Sequence, residues 1–332
     1  MSAPIHFPNF VAPATGDLLR ELSGLTADSP YDNPLDFQTN PADSLDEAAG
    51  VLANLLHQTR ERDDLFARVQ ELESEVEVLR RRDRALSYHM AKLDEEQRLA
   101  ARIQQDFLPK TLPVVGRVKF QTLFRPASYV SGDIYDVARL DEHHVGVSIA
   151  DAVGHGMPAA LLTMFIKNAF TTKEIKQGQY RLLEPAETLW RLNNALREQD
   201  LAASTFATAV YAKIDCKSLV ATFARGGHPA PVVISQNGDL REVPGDGPLL
   251  GIFDDEQFAQ ETVQLEPGDR VFLHSDGLEL AFQPADSKDI DPTRWRDELL
   301  KRSTCSTAEI LSAFAQNNPG TDDLTIVVVE IG

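Results

Sequence analysis

Five aspartates share a local setting that suits chemistry. Asp133 lies in SYVSGDIYD, Asp151 in VSIADAVGHG, Asp276 in VFLHSDGLE, and Asp322 with Asp323 in GTDDLTIVVVE. Each ends or follows an apolar run and borders small residues or a turn. One at a time they say little, because an Asp beside a Gly commonly serves a turn by bonding local backbone. As a set they share a chemical type: carboxylate oxygens suit hard divalent ions such as Mg2+ and Mn2+. Two carboxylates about 4 Å apart with no cation between them repel by about 4 kcal/mol at an effective dielectric of about 20. Two metals sharing one carboxylate would relieve that, hold a water, lower its pKa and screen an incoming phosphate, which is the chemistry of phosphoester hydrolysis. Spacing alone does not bring the five together, since they spread from Asp133 to Asp323.

The elements that must position them read as short apolar runs separated by turns. Candidate strands are Lys119 to Phe124, Val145 to Ala150, Thr208 to Ile214, Leu219 to Ala224, Val232 to Ser235, Arg270 to His274 and Thr325 to Ile331. Helical patterns run from Pro158 to about Ile175, Pro185 to Leu201, Pro292 to Arg302 and Thr307 to Gln316. Strands in blocks, without strict strand–helix alternation, predict an α+β layered domain of mostly antiparallel sheets over residues 109–332.

Upstream the texture differs. Residues 1–44 carry six prolines, scattered acids and little periodicity, which predicts a flexible acidic arm. Residues 45–108 predict a coiled-coil dimerisation and linker helix, with a seam at Leu65, Val69, Leu72, Val76, Leu79, Asp83, Leu86, Met90 and Leu93. Charges flank that seam as a parallel homodimer requires: Arg68 can face Glu73 of the other chain, and Glu75 can face Arg80. Asp83, the one polar seam residue, would cost stability while fixing register or marking a place where the coil changes state. The alternative is one amphipathic helix packed on its own domain.

A net charge of −19 without a basic patch argues against nucleic acid and anionic membrane as partners. Cys216 and Cys305 are the only cysteines, which indicates neither a disulfide framework nor a thiolate metal site. With no signal-peptide pattern and no long apolar run, the expected location is the cytoplasm. Gly154-His155-Gly156-Met157-Pro158-Ala159 formally fits a dinucleotide loop, but Asp151 sits where a pyrophosphate would approach and no second βαβ unit follows. A triad from His274, Ser275 and Asp276 fails because adjacent strand residues point to opposite faces.

Seven blocks then carry a resemblance: ARIQQDFLP, SGDIYD, IADAVGHGMPAAL, STFATAVYAKID, ARGGHPAPVVI, LEPGDRVFLHSDGLE and TDDLTIVVVE. In order and spacing the chain resembles the SpoIIE/RsbU-like branch of the metal-dependent PPM phosphatases, relatives of protein phosphatase 2C, from about residue 98 to the end. The resemblance implies an α-β-β-α sandwich with a two-metal Mn2+ or Mg2+ centre at one edge of the sheets. Asp151 would bridge both ions; Asp133 and the Ala152 backbone carbonyl would complete one, Asp276 and Asp322 the other. Asp323 would be an accessory residue, for a third ion if there is one. His155 falls near the position where relatives place a general acid, and His228 in GGHPAP is expected to shape a loop. The implied substrate is a phosphorylated STAS-domain anti-sigma-factor antagonist, and an activator could bind the arm or coil. Three positions depart from the family pattern: Leu280 replaces a customary Glu, Arg225 an Asn and Ser131 a Gly. The competing reading is a catalytically silent dimeric scaffold with the phosphatase fold.

Overall fold

A computed structural model describes residues 41–176, 178–199, 205–282, 291, 293–317 and 320–332. Residues 1–40, most of the predicted arm, lie outside the described residues. The chain divides into two compact units, Met1–Ala85 and Leu86–Gly332. The described part of the first is helical throughout and belongs to α1, Pro41–Phe107. Along α1 the seam side chains are exposed, from Leu65 and Val69 through Leu79 to Met90 and Leu93.

In the second unit two five-stranded sheets face each other, and every pairing between their strands is antiparallel. The first has the order β1-β12-β11-β8-β9, formed by Val118–Arg125, Leu324–Ile331, Arg270–His274, Val232–Ile234 and Leu240–Glu242. The second has the order β10-β7-β6-β3-β2, formed by Gln260–Gln264, Val220–Gly226, Ala207–Asp215, His144–Ala152 and Asp133–Arg139. Alternation along each strand explains the layers. Val145, Val147 and Ile149 of β3 join Val210, Ala212 and Ile214 of β6 and Val327 and Val329 of β12 in the core between the sheets. Ala150 and Ala152, one residue out of phase, pack outward against α2 (Met157–Ala169) and α3 (Pro185–Glu198) with Ile166, Leu189 and Leu192. On the other side Phe272, Ile326 and Val328 meet Trp295, Leu299, Ile310 and Phe314 of α5 (Arg294–Lys301) and α6 (Thr307–Asn317). The result is the α-β-β-α sandwich expected from the resemblance.

Several boundaries move. The helix predicted to reach Ile175 stops at Ala169, and Ile175 lies in a small hairpin of β4 (Lys173–Lys176) and β5 (Gln179–Leu182). Phe170 adopts extended backbone at the helix end, and the β-branched pair Thr171-Thr172 follows. Arg181, bonded to Glu187 of α3 and to Glu174, ties the hairpin down. The helix predicted for Pro185 to Leu201 ends at Glu198, and that predicted from Pro292 begins at Arg294. Strands β2, β4, β5, β9 and β10 were not expected from sequence.

Candidate active site

The same alternation that builds the core delivers the carboxylates. Asp151 is the next inward position of β3 after Val145, Val147 and Ile149, and Asp133 continues the inward row of Tyr135 and Val137 in β2. The register places Asp133 opposite Asp151 and Asp151 opposite Thr208 of β6. Directly opposed residues share a face, so three polar side chains stand in a row where the apolar rows end. From the other sheet, Thr325 continues the inward row of Val329 and Val327, and Asp323 precedes it.

Asp276 arrives on the turn after β11, at the start of the short helix α4 (Gly277–Ala281). Gly277 permits its approach: a Cβ there would lie 1.9 Å from the Asp323 carbonyl oxygen. Ser275 locks the turn to β12, donating its N–H to the Thr325 carbonyl at 2.9 Å while its hydroxyl accepts the Thr325 N–H at 3.0 Å. Thr325 in turn donates its hydroxyl to Asp133 Oδ2 at 2.6 Å, a bond that crosses from one sheet to the other.

Four of the aspartates are perturbed in one direction. Burial, then the Asp151 charge, pushes Asp133 well above the usual carboxylate range. Burial followed by Asp276, Asp322 and Asp323 raises Asp151 to about 8. Asp276 is raised by burial and then by Asp322, and Asp322 by burial, with a further push from Asp323. Every charge acting on these four is another carboxylate. A cluster of this kind favours a bound cation.

An oxygen-lined notch lies beside it. A Cβ on Gly132 would stand 3.2 Å from the Ala152 carbonyl oxygen, 3.3 Å from that of Gly154 and 3.4 Å from Asp151 Oδ1. Glycine keeps this space open, and its lining of two carbonyls and a carboxylate is the donor chemistry of Mg2+ and Mn2+. The donor set therefore fits such ions. Among the described residues, however, no three His, Cys, Asp or Glu groups are already drawn around one point.

The remaining predicted residues separate. Asp323 has both oxygens engaged, accepting the Ala127 N–H at 2.7 Å and the Gly132 N–H at 2.6 Å, so it fixes the loop that leads into β2. His155 is exposed in the loop between β3 and α2 and has no hydrogen bond to the aspartates among the described residues. Arg225 is structural: it donates to the carbonyls of Gly245 and His228, the latter at 2.7 Å. Gln104, in the last turn of α1, was missed from sequence. It is 2% exposed, donates to the Ser131 carbonyl at 2.7 Å and the Thr163 hydroxyl at 3.2 Å, and accepts the Ser131 N–H at 2.9 Å. The Ser131 hydroxyl then accepts the Asp133 N–H at 3.0 Å. Only the block ARIQQDFLP hinted at it, without singling out this residue.

Comparison with known proteins follows the same geometry. The family model Stage II sporulation protein E (SpoIIE) matches residues 141–332, a range that begins after Asp133. The chain is 30% identical over 187 residues to phosphoserine phosphatase RsbP of Bacillus subtilis (strain 168), covering 55% of this chain and 45% of that protein. It is 32% identical over 187 residues to phosphoserine phosphatase RsbU of the same organism, covering 56% and 54%. The chain thus spans about half the length of the curated relatives it matches. Among solved structures, the SiaA-PP2C domain of Pseudomonas aeruginosa superposes with a TM-score of 0.63 at 24% identity, over 73% of this chain and 98% of that one, a likeness of fold.

Proposed function

The chain belongs to the SpoIIE family, and we propose that it is a cytoplasmic, divalent-metal-dependent protein serine/threonine phosphatase. One observation carries the reading: half-buried and buried carboxylates from both sheets converge closely enough to raise one another's pKa, beside a notch lined with oxygen. Asp133, Asp151 and the Ala152 carbonyl would hold one ion; Asp151, Asp276 and Asp322 would hold a second. Bound there, two Mn2+ or Mg2+ ions would supply the positive charge that activates water and screens a phosphate group. The chain's own groups orient that set: Thr325 aims Asp133, Ser275 and Gly277 seat the Asp276 turn, and Asp323 anchors the loop at Gly132. His155, exposed in the loop between β3 and α2, would act only as a proton donor.

In this reading the substrate is a phosphoserine or phosphothreonine protein, of the STAS-domain anti-sigma-factor antagonist class that the resemblance implies. The exposed seam of α1 supports a parallel homodimer, and Gln104 supports regulation through that helix, since it bonds both the loop before Asp133 and Thr163 of α2. Hydrolysis of para-nitrophenyl phosphate, with Mn2+ added or withheld, tests the central claim. Turnover is expected with Mn2+ only, and it should vanish in a folded Asp276→Ala variant. Folded wild-type protein without Mn2+-dependent turnover would establish the scaffold reading instead.

A further inference from the structure

His228 follows two glycines at the end of β7 and is 2% exposed. Its Nδ1 is hydrogen-bonded to the Thr208 hydroxyl at 2.7 Å. Thr208 stands directly opposite Asp151 in the β3–β6 ladder, on the same inward face. On its other side His228 lies near the backbone of His274, two residues before Asp276, with its buried Nε2 making no hydrogen bond among the described residues. One imidazole therefore bonds the strand beside Asp151 and sits next to the strand that delivers Asp276.

The loop that carries it is clamped. Arg225 donates to the His228 carbonyl at 2.7 Å, and the Gly227 N–H donates to the Gly247 carbonyl at 2.9 Å. Gly227 has φ +63°, and a Cβ on it would lie 2.4 Å from Leu249 Cδ2, so only glycine fits there. Ala209, next to Thr208, forms a parallel bridge with Gly227. Burial pushes the His228 imidazole down to about 3, which keeps it neutral. A neutral ring can remain between two sheets without a counter-ion.

We propose that His228 is a positioning residue: bonded to Thr208 and packed beside the His274 backbone, it sets the separation between Asp151 and Asp276, so that both can serve one pair of divalent ions. It complements the Asp133–Thr325–Ser275 chain, which ties the sheets together around Asp133. The inference rests on the metal-dependent reading above and assigns this chain a residue that never touches the ions.

The test is calorimetric titration of the EDTA-stripped full chain with MnCl2, alongside thermal unfolding of the same metal-free samples. Groups that orient metal ligands typically change affinity by roughly 10- to 100-fold when removed. His228→Ala and Thr208→Val should each weaken Mn2+ binding at least roughly tenfold, and the double variant should be no weaker than the worse single one, because both break the same connection. His228→Asn, which keeps a hydrogen-bonding atom near Nδ1, should recover most of the affinity. Wild-type affinity in folded His228→Ala or in Thr208→Val overturns the proposal. If His228→Ala does not fold, Thr208→Val decides alone, since it keeps the side-chain shape. Wild-type protein that binds no Mn2+ would overturn the metal-dependent reading itself, and this inference with it.

Discussion

Replacing Asp151 by Asn should stabilise the metal-free protein while removing its response to metal. Burial and three neighbouring carboxylates raise Asp151 from 3.8 to about 8 in the folded chain. Each pKa unit is worth about 1.4 kcal/mol, so ionising this group in the folded state costs up to about 6 kcal/mol, and at pH 7, where it remains mostly protonated, about 4. Rotation of the carboxylates and entry of water reduce that, leaving an expected gain of about 2–4 kcal/mol for Asp151→Asn at pH 7. For a domain of this size that is a rise in Tm of roughly 5–15 °C. The sign follows from the raised pKa: its favourable contribution is complete below 3.8 and is lost as pH rises through about 8. The gap between variant and wild type should therefore close near about pH 4, widen with rising pH and level off above about pH 8. His228 and His274, pushed down to about 3 and about 4, give stability an opposite slope below their unfolded values, but equally in both proteins, so the difference is unaffected. Circular dichroism melts in EDTA across this range read the effect directly. Adding Mn2+ at about 100 times Kd should then raise wild-type stability by about 2.7 kcal/mol and leave the variant unmoved. A pH-independent gap, or wild type the more stable protein without metal at about pH 9, would refute the crowded-carboxylate argument.

Two further outcomes concern α1. Sedimentation equilibrium should find the full chain dimeric and the Leu72→Glu, Leu79→Glu double variant monomeric, because both side chains lie in the exposed seam and a buried charge there is uncompensated; an unchanged dimer would remove the seam from the interface. Gln104→Leu should fold yet weaken Mn2+ activation several-fold, since the Ser131 backbone and the Thr163 hydroxyl lose a buried partner; an unaltered Mn2+ dependence would show that the helix end does not govern the site.

The fold was legible where one period dominated. β3, β6 and β12 show clean apolar alternation or continuous apolar runs, and their sequence-based limits shift by only a few residues. β2 was not, because SGDIYDVAR contains a glycine and two aspartates and is extended through pairing with β3 along its whole length. Ile175 was misread since an apolar residue three or four positions on from others fits a helix as well as a hairpin. At the site, the carboxylates could be named from their strand ends, but not their mutual approach, which depends on register between strands distant in sequence. Gln104 and Thr208 were invisible for a related reason. A glutamine in a charged helix and a threonine in a strand are ordinary, and what makes them matter is the distant group each one bonds.

The pattern of attachment also indicates which ligand the helix can reach. Asp151 belongs to a strand paired on both sides, and Asp276 and Asp322 flank strands in the middle of the other sheet. Asp133 differs: it begins the edge strand β2, and the loop before it is held by Asp323, just ahead of β12, and by Gln104 from α1. Of the proposed metal-holding residues, Asp133 is thus the one whose approach depends on contacts made by the helix. Movement of α1 at Gln104 would displace Ser131, whose hydroxyl accepts the Asp133 N–H, before it disturbed any of the strands. In the proposed enzyme, control through the coil would accordingly act on the ion shared by Asp133 and Asp151, changing metal occupancy, and it would leave the Asp276–Asp322 side of the cleft in place.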